Sequence, residues 1–141
     1  MRAIDEARKL FQGELVTIAR PDCLRLLALS RIGRIACNSA GGPLVVPVNG
    51  RSHGTDVYLR VREGSHLADA LREGYASYEV DGFDDFHQVG WSVLVRGRVA
   101  WISADELPEH RSEWPSPWVA GKRDVWVRLQ GDEIDGRRLL P

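Results

Sequence analysis

Apolar and polar residues alternate with a period of two along most of this chain, and between these stretches lie short segments with helical spacing. The longest alternation, Val89-Gly90-Trp91-Ser92-Val93-Leu94-Val95-Arg96-Gly97-Arg98-Val99, continues to Ile102. It predicts a long strand with Trp91, Val93 and Val95 on one face and Ser92, Leu94 and Arg96 on the other. Wherever Arg96 and Arg98 are covered they need an anionic or carboxylate partner, and Gly97 lets a neighbouring chain or a flat ligand approach the backbone closely. Shorter alternations predict strands over residues 34–38, 44–49, 57–62, 75–81 and, as the last strand, 124–129. In the third of these, Tyr58, Arg60 and Arg62 share a face opposite Val57, Leu59 and Val61.

Helical spacing appears first in residues 3–11, where Ile4, Ala7, Leu10 and Phe11 form an amphipathic docking arm ended by Gly13. Pro21 in a first turn opens a second helix, which presents Leu24, Leu27 and Ala28 to a core and runs to about Ser30, with Gly33 as its stop. Ser65 reads as the N-cap of a third, continuing through Leu67, Ala68, Ala70 and Leu71 to Gly74. Ser103 with Glu106 resembles a capping box opening a short helix toward Arg111. Residues 39–43, 50–56 and 82–88 read as turns, and Trp114-Pro115-Ser116-Pro117-Trp118 as a rigid loop. Pro47 removes one ladder donor, so its strand belongs at an edge or opens toward a ligand. The expectation is a mainly β protein: one domain over residues 1–141, with a helical arm at 1–14 and, from 15 to 138, a small antiparallel barrel of about six strands with flanking helices.

Charge narrows the function classes. Lys and Arg number 19 against 20 acids, a formal net charge of -1, so no global field draws the chain to nucleic acid or an anionic membrane. Lys occurs only at positions 9 and 122, and the remaining 17 cations are Arg, which suits forked contacts with phosphate or carboxylate. Cys23 and Cys37 lack CxxC spacing and read as buried free thiols of a reducing cytosol. No run of eighteen apolar residues occurs. A soluble, cytoplasmic protein is expected.

The best anion site is the strand-turn-helix holding Arg60, Arg62, Ser65 and His66, where two guanidiniums on one face meet a hydroxyl. On composition alone, pairing of those arginines with Glu63, Glu79 or other acids is the stronger reading. His53, His66, His87 and His110 form no helical metal pair, the acids from Asp81 to Asp85 lack calcium-loop spacing, and no nucleophile elbow, Walker sequence or dinucleotide fingerprint occurs. The five tryptophans, without a basic surplus, read as packing residues.

In order, the motifs Cys23-Leu24-Arg25-Leu26-Leu27, Gly33-Arg34-Ile35-Ala36, Gly42-Pro43-Leu44-Val45-Val46-Pro47-Val48-Asn49, Val57-Tyr58-Leu59-Arg60, Gly64-Ser65-His66-Leu67, Tyr78-Glu79-Val80-Asp81, Gly90 to Gly97 and Ile134-Asp135-Gly136-Arg137-Arg138 run through the chain. This series resembles the pyridoxamine 5'-phosphate oxidase-like family, the FMN-binding split barrels, from about residue 15 to 138. The resemblance implies a homodimer with FMN sites lined by both chains. Val46, Pro47, Val48 and Asn49 would line the flavin ring, Arg60, Ser65 and His66 would meet the phosphate, and Trp91 and Ser92 would add flavin contacts. Relatives commonly carry Lys where this chain has His66, and a neutral imidazole gives up a permanent charge there.

The reading that follows is an FMN-dependent oxidoreductase acting on a small-molecule substrate, with the catalytic residue unassigned and no metal, nucleic-acid or membrane partner. A deazaflavin-dependent reductase on the same fold is the near alternative, and heme binding a more distant one. From another class comes a cofactor-free split barrel serving as a binding module, favoured by His66 and by Glu63 beside the phosphate cradle.

Overall fold

Each alternating stretch becomes a strand of one continuous antiparallel sheet in the computed structural model, which describes residues 13–108 and 124–141. The strands are β1 (Glu14–Thr17), β2 (Ile32–Ser39), β3 (Gly42–His53), β4 (Asp56–Arg62), β5 (Tyr75–Asp84), β6 (Val89–Ile102), β7 (Asp124–Leu129) and β8 (Glu133–Leu140). They pair in the order β1-β8-β6-β5-β2-β3-β4-β7. The far end of β6, from Val99 to Ile102, also pairs with β7. Strands β2 to β7 thereby close into a six-stranded barrel, while β8 and β1 extend the sheet beyond β6. The fold is mainly β, and the described residues add two flanking helices, α1 (Arg20–Leu29) and α2 (His66–Leu71).

One side chain in two points into the barrel. Ile35, Val57, Leu59, Val80, Val93, Val95, Val127 and Leu129 are all but fully buried, and α1 adds Cys23 and Leu27 while α2 adds Ala68 and Leu71. Burying a branched side chain of this kind is worth about 1.5–3 kcal/mol, so alternation alone supplies most of the drive toward closure. Helix α2 starts where the Ser65 hydroxyl accepts a hydrogen bond from the Ala68 N–H at 3.1 Å. Helix α1 has Pro21 in its first turn and ends at Ser30, whose backbone turns extended and whose hydroxyl donates to the Leu26 carbonyl at 2.8 Å.

Several expectations are corrected. Residues 50–53 are strand rather than turn: β3 runs on to His53, pairs Gly50 with Leu59, and turns only at Gly54-Thr55, with Gly54 at φ 60°. The loop over 39–43 shrinks to Ala40-Gly41, since Ser39 already pairs with Gly42. Strand β5 reaches Asp84, and the following turn is tied by the Asp84 carboxylate, which accepts from the Phe86 and His87 N–H groups. Asp124–Leu129 is not the last strand; β8 follows it, and β1 pairs with β8, both hidden because their polar residues break the alternation. Gly33 lies inside β2, not at a helix stop. Ala28 is exposed, and Cys23 and Leu27 make the buried stripe of α1 instead. Tyr58 is buried although Arg60 and Arg62 on the same face are exposed, because Arg128 on β7 lies directly opposite it. Ser103 precedes a single 3-10 turn, Ala104–Glu106, and its hydroxyl meets the Glu106 carboxylate without capping the backbone. The arm at 3–11, the extension to Arg111 and the loop at 114–118 fall outside the described residues.

Candidate functional site

Strands β3 and β4 stay together only from Gly50–Leu59 to His53–Asp56 and then part, leaving Asn49 and Arg60 as the lips of a fork. Hydrogen bonding dictates which groups line it. The Gly50 N–H donates to the Arg31 carbonyl at 3.2 Å, so alternation turns the backbone groups of Leu44, Val46 and Val48 toward β2 and those of Pro43, Val45, Pro47 and Asn49 away from it. Both prolines therefore fall where no β2 ladder bond is lost. This edge offers carbonyls at Pro43, Val45, Pro47 and Asn49 and N–H donors at Val45 and Asn49. Pro47 is exposed, whereas Val46, Val48 and Asn49 are half-buried, the two valines with side chains packed against the core.

Across the fork, Arg60 is exposed on β4, its guanidinium 5.7 Å from the ring centre of Trp126, its cross-strand partner on β7. After Arg62 the chain turns through Gly64, at φ 79°, into α2, which packs against β2, β3 and β4. Ser65 is half-buried and uses an oxygen lone pair as the N-cap, keeping its own proton to donate; His66, the first helical residue, is exposed. Asn49, Arg60, Ser65 and His66 thus come from elements that meet at the fork.

Pro47 lies directly opposite Arg34 of β2, and Arg34 opposite Glu79 of β5. One guanidinium nitrogen of Arg34 reaches the Asp81 carboxylate at 2.6 Å and the Glu79 carboxylate at 3.4 Å. Asp81 in turn faces Ser92 on β6. A polar strip, Pro47–Arg34–Asp81–Ser92, therefore runs from the open edge across the outer face of the sheet. Burial, then the hydrogen bond and the charge of Asp81, push the Glu79 carboxyl up to about 7 against the opposing pull of Arg34. Reading the sequence singled out none of Arg34, Glu79 and Asp81 as site residues; the signal was two acids at i and i+2 of one strand face.

Trp91 lies on the other face. Its indole covers Gly82, the cross-strand partner, with the ring nitrogen 2.6 Å from where a glycine Cβ would stand. So Ser92 joins the strip and Trp91 packs toward the core. Arg96 and Arg98 find carboxylates on and before β8: Arg96 pairs with Glu133, and Arg98 lies 3.7 Å from Asp132. Gly97 between them faces the Gln130 carbonyl, which leaves no room for a side chain. Below the strip, the small facing residues Ala36 and Ser77 floor an open groove of about 470 Å³ walled by Asn38, Tyr75, Arg96 and Glu133. Cys23 and Cys37 are free and buried, and burial pushes both thiols up. No described helix is long and apolar enough to cross a membrane.

The family model described as pyridoxamine 5'-phosphate oxidase matches residues 19–138. The uncharacterized protein Rv0080 of Mycobacterium tuberculosis is 29% identical over 132 residues, 90% of this chain and 87% of that one. An FAD-binding protein of Mycobacterium smegmatis superposes with a TM-score of 0.73 at 30% identity, covering 87% of this chain and 98% of its own. An FAD-binding protein of Mesorhizobium loti, 22% identical, shares the fold with a TM-score of 0.71 over 92% of this chain and 99% of its own.

Proposed function

The chain belongs to the pyridoxamine 5'-phosphate oxidase family, and on that premise we propose that it is a homodimeric flavin-binding oxidoreductase with FMN as its cofactor and a small-molecule substrate. The fork between β3 and β4 carries this reading. Its β3 lip supplies carbonyls and two N–H donors that no described strand pairs with, suited to the polar edge of a flavin ring, and its β4 lip supplies the Arg60 guanidinium. The donor set fits the group: Arg60, the Ser65 hydroxyl and His66 would hold the phosphate, and Pro47 and Asn49 would hold the ring, on a strand that Val46 and Val48 anchor to the core. Ser92, on the outer face, would line the far side from the second copy, with Trp91 behind it holding the strand to the core. Bound flavin supplies hydride and electron transfer; the protein orients it and excludes water.

FAD in place of FMN is the second reading, favoured by the FAD-binding protein of Mycobacterium smegmatis at 30% identity. Titration of the purified protein with FMN, FAD, a deazaflavin and heme, followed by flavin fluorescence, absorbance and thermal shift, tests both. Saturable FMN binding with a rise in Tm supports the first, and preference for FAD the second. Colourless protein whose Tm none of the four moves refutes both and leaves a cofactor-free binding module.

A further inference from the structure

We propose that Arg34, Glu79 and Asp81 act as a proton-responsive positioning group beside the flavin edge, weakening the hold on an anionic flavin as pH rises through neutrality; this rests on the flavin reading above. Glu79 and Asp81 stand two residues apart on the outer face of β5, and a single guanidinium lies between them. Asp81 takes the 2.6 Å contact and Glu79 the 3.4 Å one, so the one positive charge is spent mainly on Asp81. The second carboxylate is left undercompensated in a half-buried setting.

Among the described residues, the neighbours supply no second cation to Glu79. On β3 the nearest face residues are Pro47 and Asn49, and on β6 Leu94 lies directly opposite Glu79, with Asp135 of β8 beyond it. Arg96, one row along, is engaged by Glu133, and Arg137 lies across Ser92 from Asp81. With its carboxyl raised to about 7, Glu79 carries a proton on the acid side of neutrality and loses it on the alkaline side. The Arg34–Glu79–Asp81 group then changes from net neutral to net negative. Arg34 is the cross-strand partner of both Glu79 and Pro47, so the added charge appears in the same row as the open β3 edge, two strand spacings or about 10 Å from it.

One more negative charge about 10 Å from a bound anion at a partly screened surface lowers affinity by up to about threefold. The experiment measures the FMN Kd of the intact protein at pH 6 and pH 8 by fluorescence quenching, for wild type, Glu79→Gln and Asp81→Asn. The phosphate of FMN titrates identically for all three and cancels in the comparison. Wild type is expected to lose about two- to threefold more affinity between the two pH values than Glu79→Gln. Asp81→Asn, which leaves Arg34 to Glu79 alone, should shift the loss to below pH 6. Equal pH dependence in wild type and Glu79→Gln, with FMN still bound, overturns the inference alone. Failure of every form to bind FMN at either pH removes the FMN reading and this inference together.

Discussion

The phenol oxygen of Tyr78 lies 2.5 Å from the point where a Cβ would stand on Gly50, so the aromatic ring of β5 occupies the space a side chain on β3 would need. Gly33 on β2 is covered by the same ring. Gly50 is also the last β3 residue before the fork, which makes this contact the hinge pin of the edge that receives the cofactor. The Tyr78 hydroxyl is buried without a hydrogen-bond partner among the described residues, and burial pushes it up to about 12.

Gly50→Ala is expected to destabilise the protein by about 1–3 kcal/mol through overpacking against the ring. Tyr78→Phe, which removes only an unsatisfied hydroxyl, should be neutral or stabilising by up to about 1 kcal/mol. Urea denaturation of the two variants checks both signs, and a large loss in Tyr78→Phe would mean that the hydroxyl has a partner.

Arg60→Ala should weaken FMN by about 10- to 100-fold while changing riboflavin binding little, since only FMN carries the phosphate a guanidinium grips. Parallel titrations with the two flavins decide it. Equal losses would take Arg60 away from the phosphate.

His66→Lys places a permanent cation at the start of α2 and is expected to tighten FMN, since an ammonium is a fixed charge for the phosphate. An unchanged Kd at every pH would place position 66 outside the phosphate site.

Glu79 also makes stability depend on pH. Its folded-state carboxyl is raised to about 7 from 4.5, so between those values the folded chain holds a proton that the unfolded chain has released. Stability therefore falls as pH rises from about 4.5 through about 7. Glu79→Gln should flatten that slope and raise Tm relative to wild type at pH 8, measured by thermal scans between pH 5 and pH 8. A lower Tm at pH 8 would show that the ionised carboxylate is a net stabiliser.

Gly97→Ala sets a Cβ against the Gln130 carbonyl, where the connection from β7 to β8 crosses β6. The Gln130 N–H also donates to the Arg98 carbonyl at 2.8 Å, so that crossing has no freedom to yield. A loss of about 2–3 kcal/mol is expected in urea titrations. A neutral result would mean the loop moves aside.

Val93, Val95, Val57, Leu59 and Ile35 announce their faces by alternation alone, and each is buried where the pattern puts it. By the same pattern the sequence by itself determined a mainly β antiparallel barrel, the N-cap at Ser65 and an open edge at Pro47, because strand period, capping and a missing N–H are local properties. It left β1 and β8 unread: Arg137-Arg138 followed by Leu139-Leu140 breaks the alternation of Glu133–Leu140, and the strand is fixed by register against β6 rather than by any pattern of its own. The fate of each charge was likewise out of reach. Glu79 met Arg34 rather than Arg60 or Arg62, Arg96 met Glu133 thirty-seven residues away, and Trp91 turned over Gly82 while Ser92 turned outward to face Asp81. Only the tertiary structure decided these, because a charge is compensated by whichever strand closure brings beside it, and that neighbour is set by long-range register.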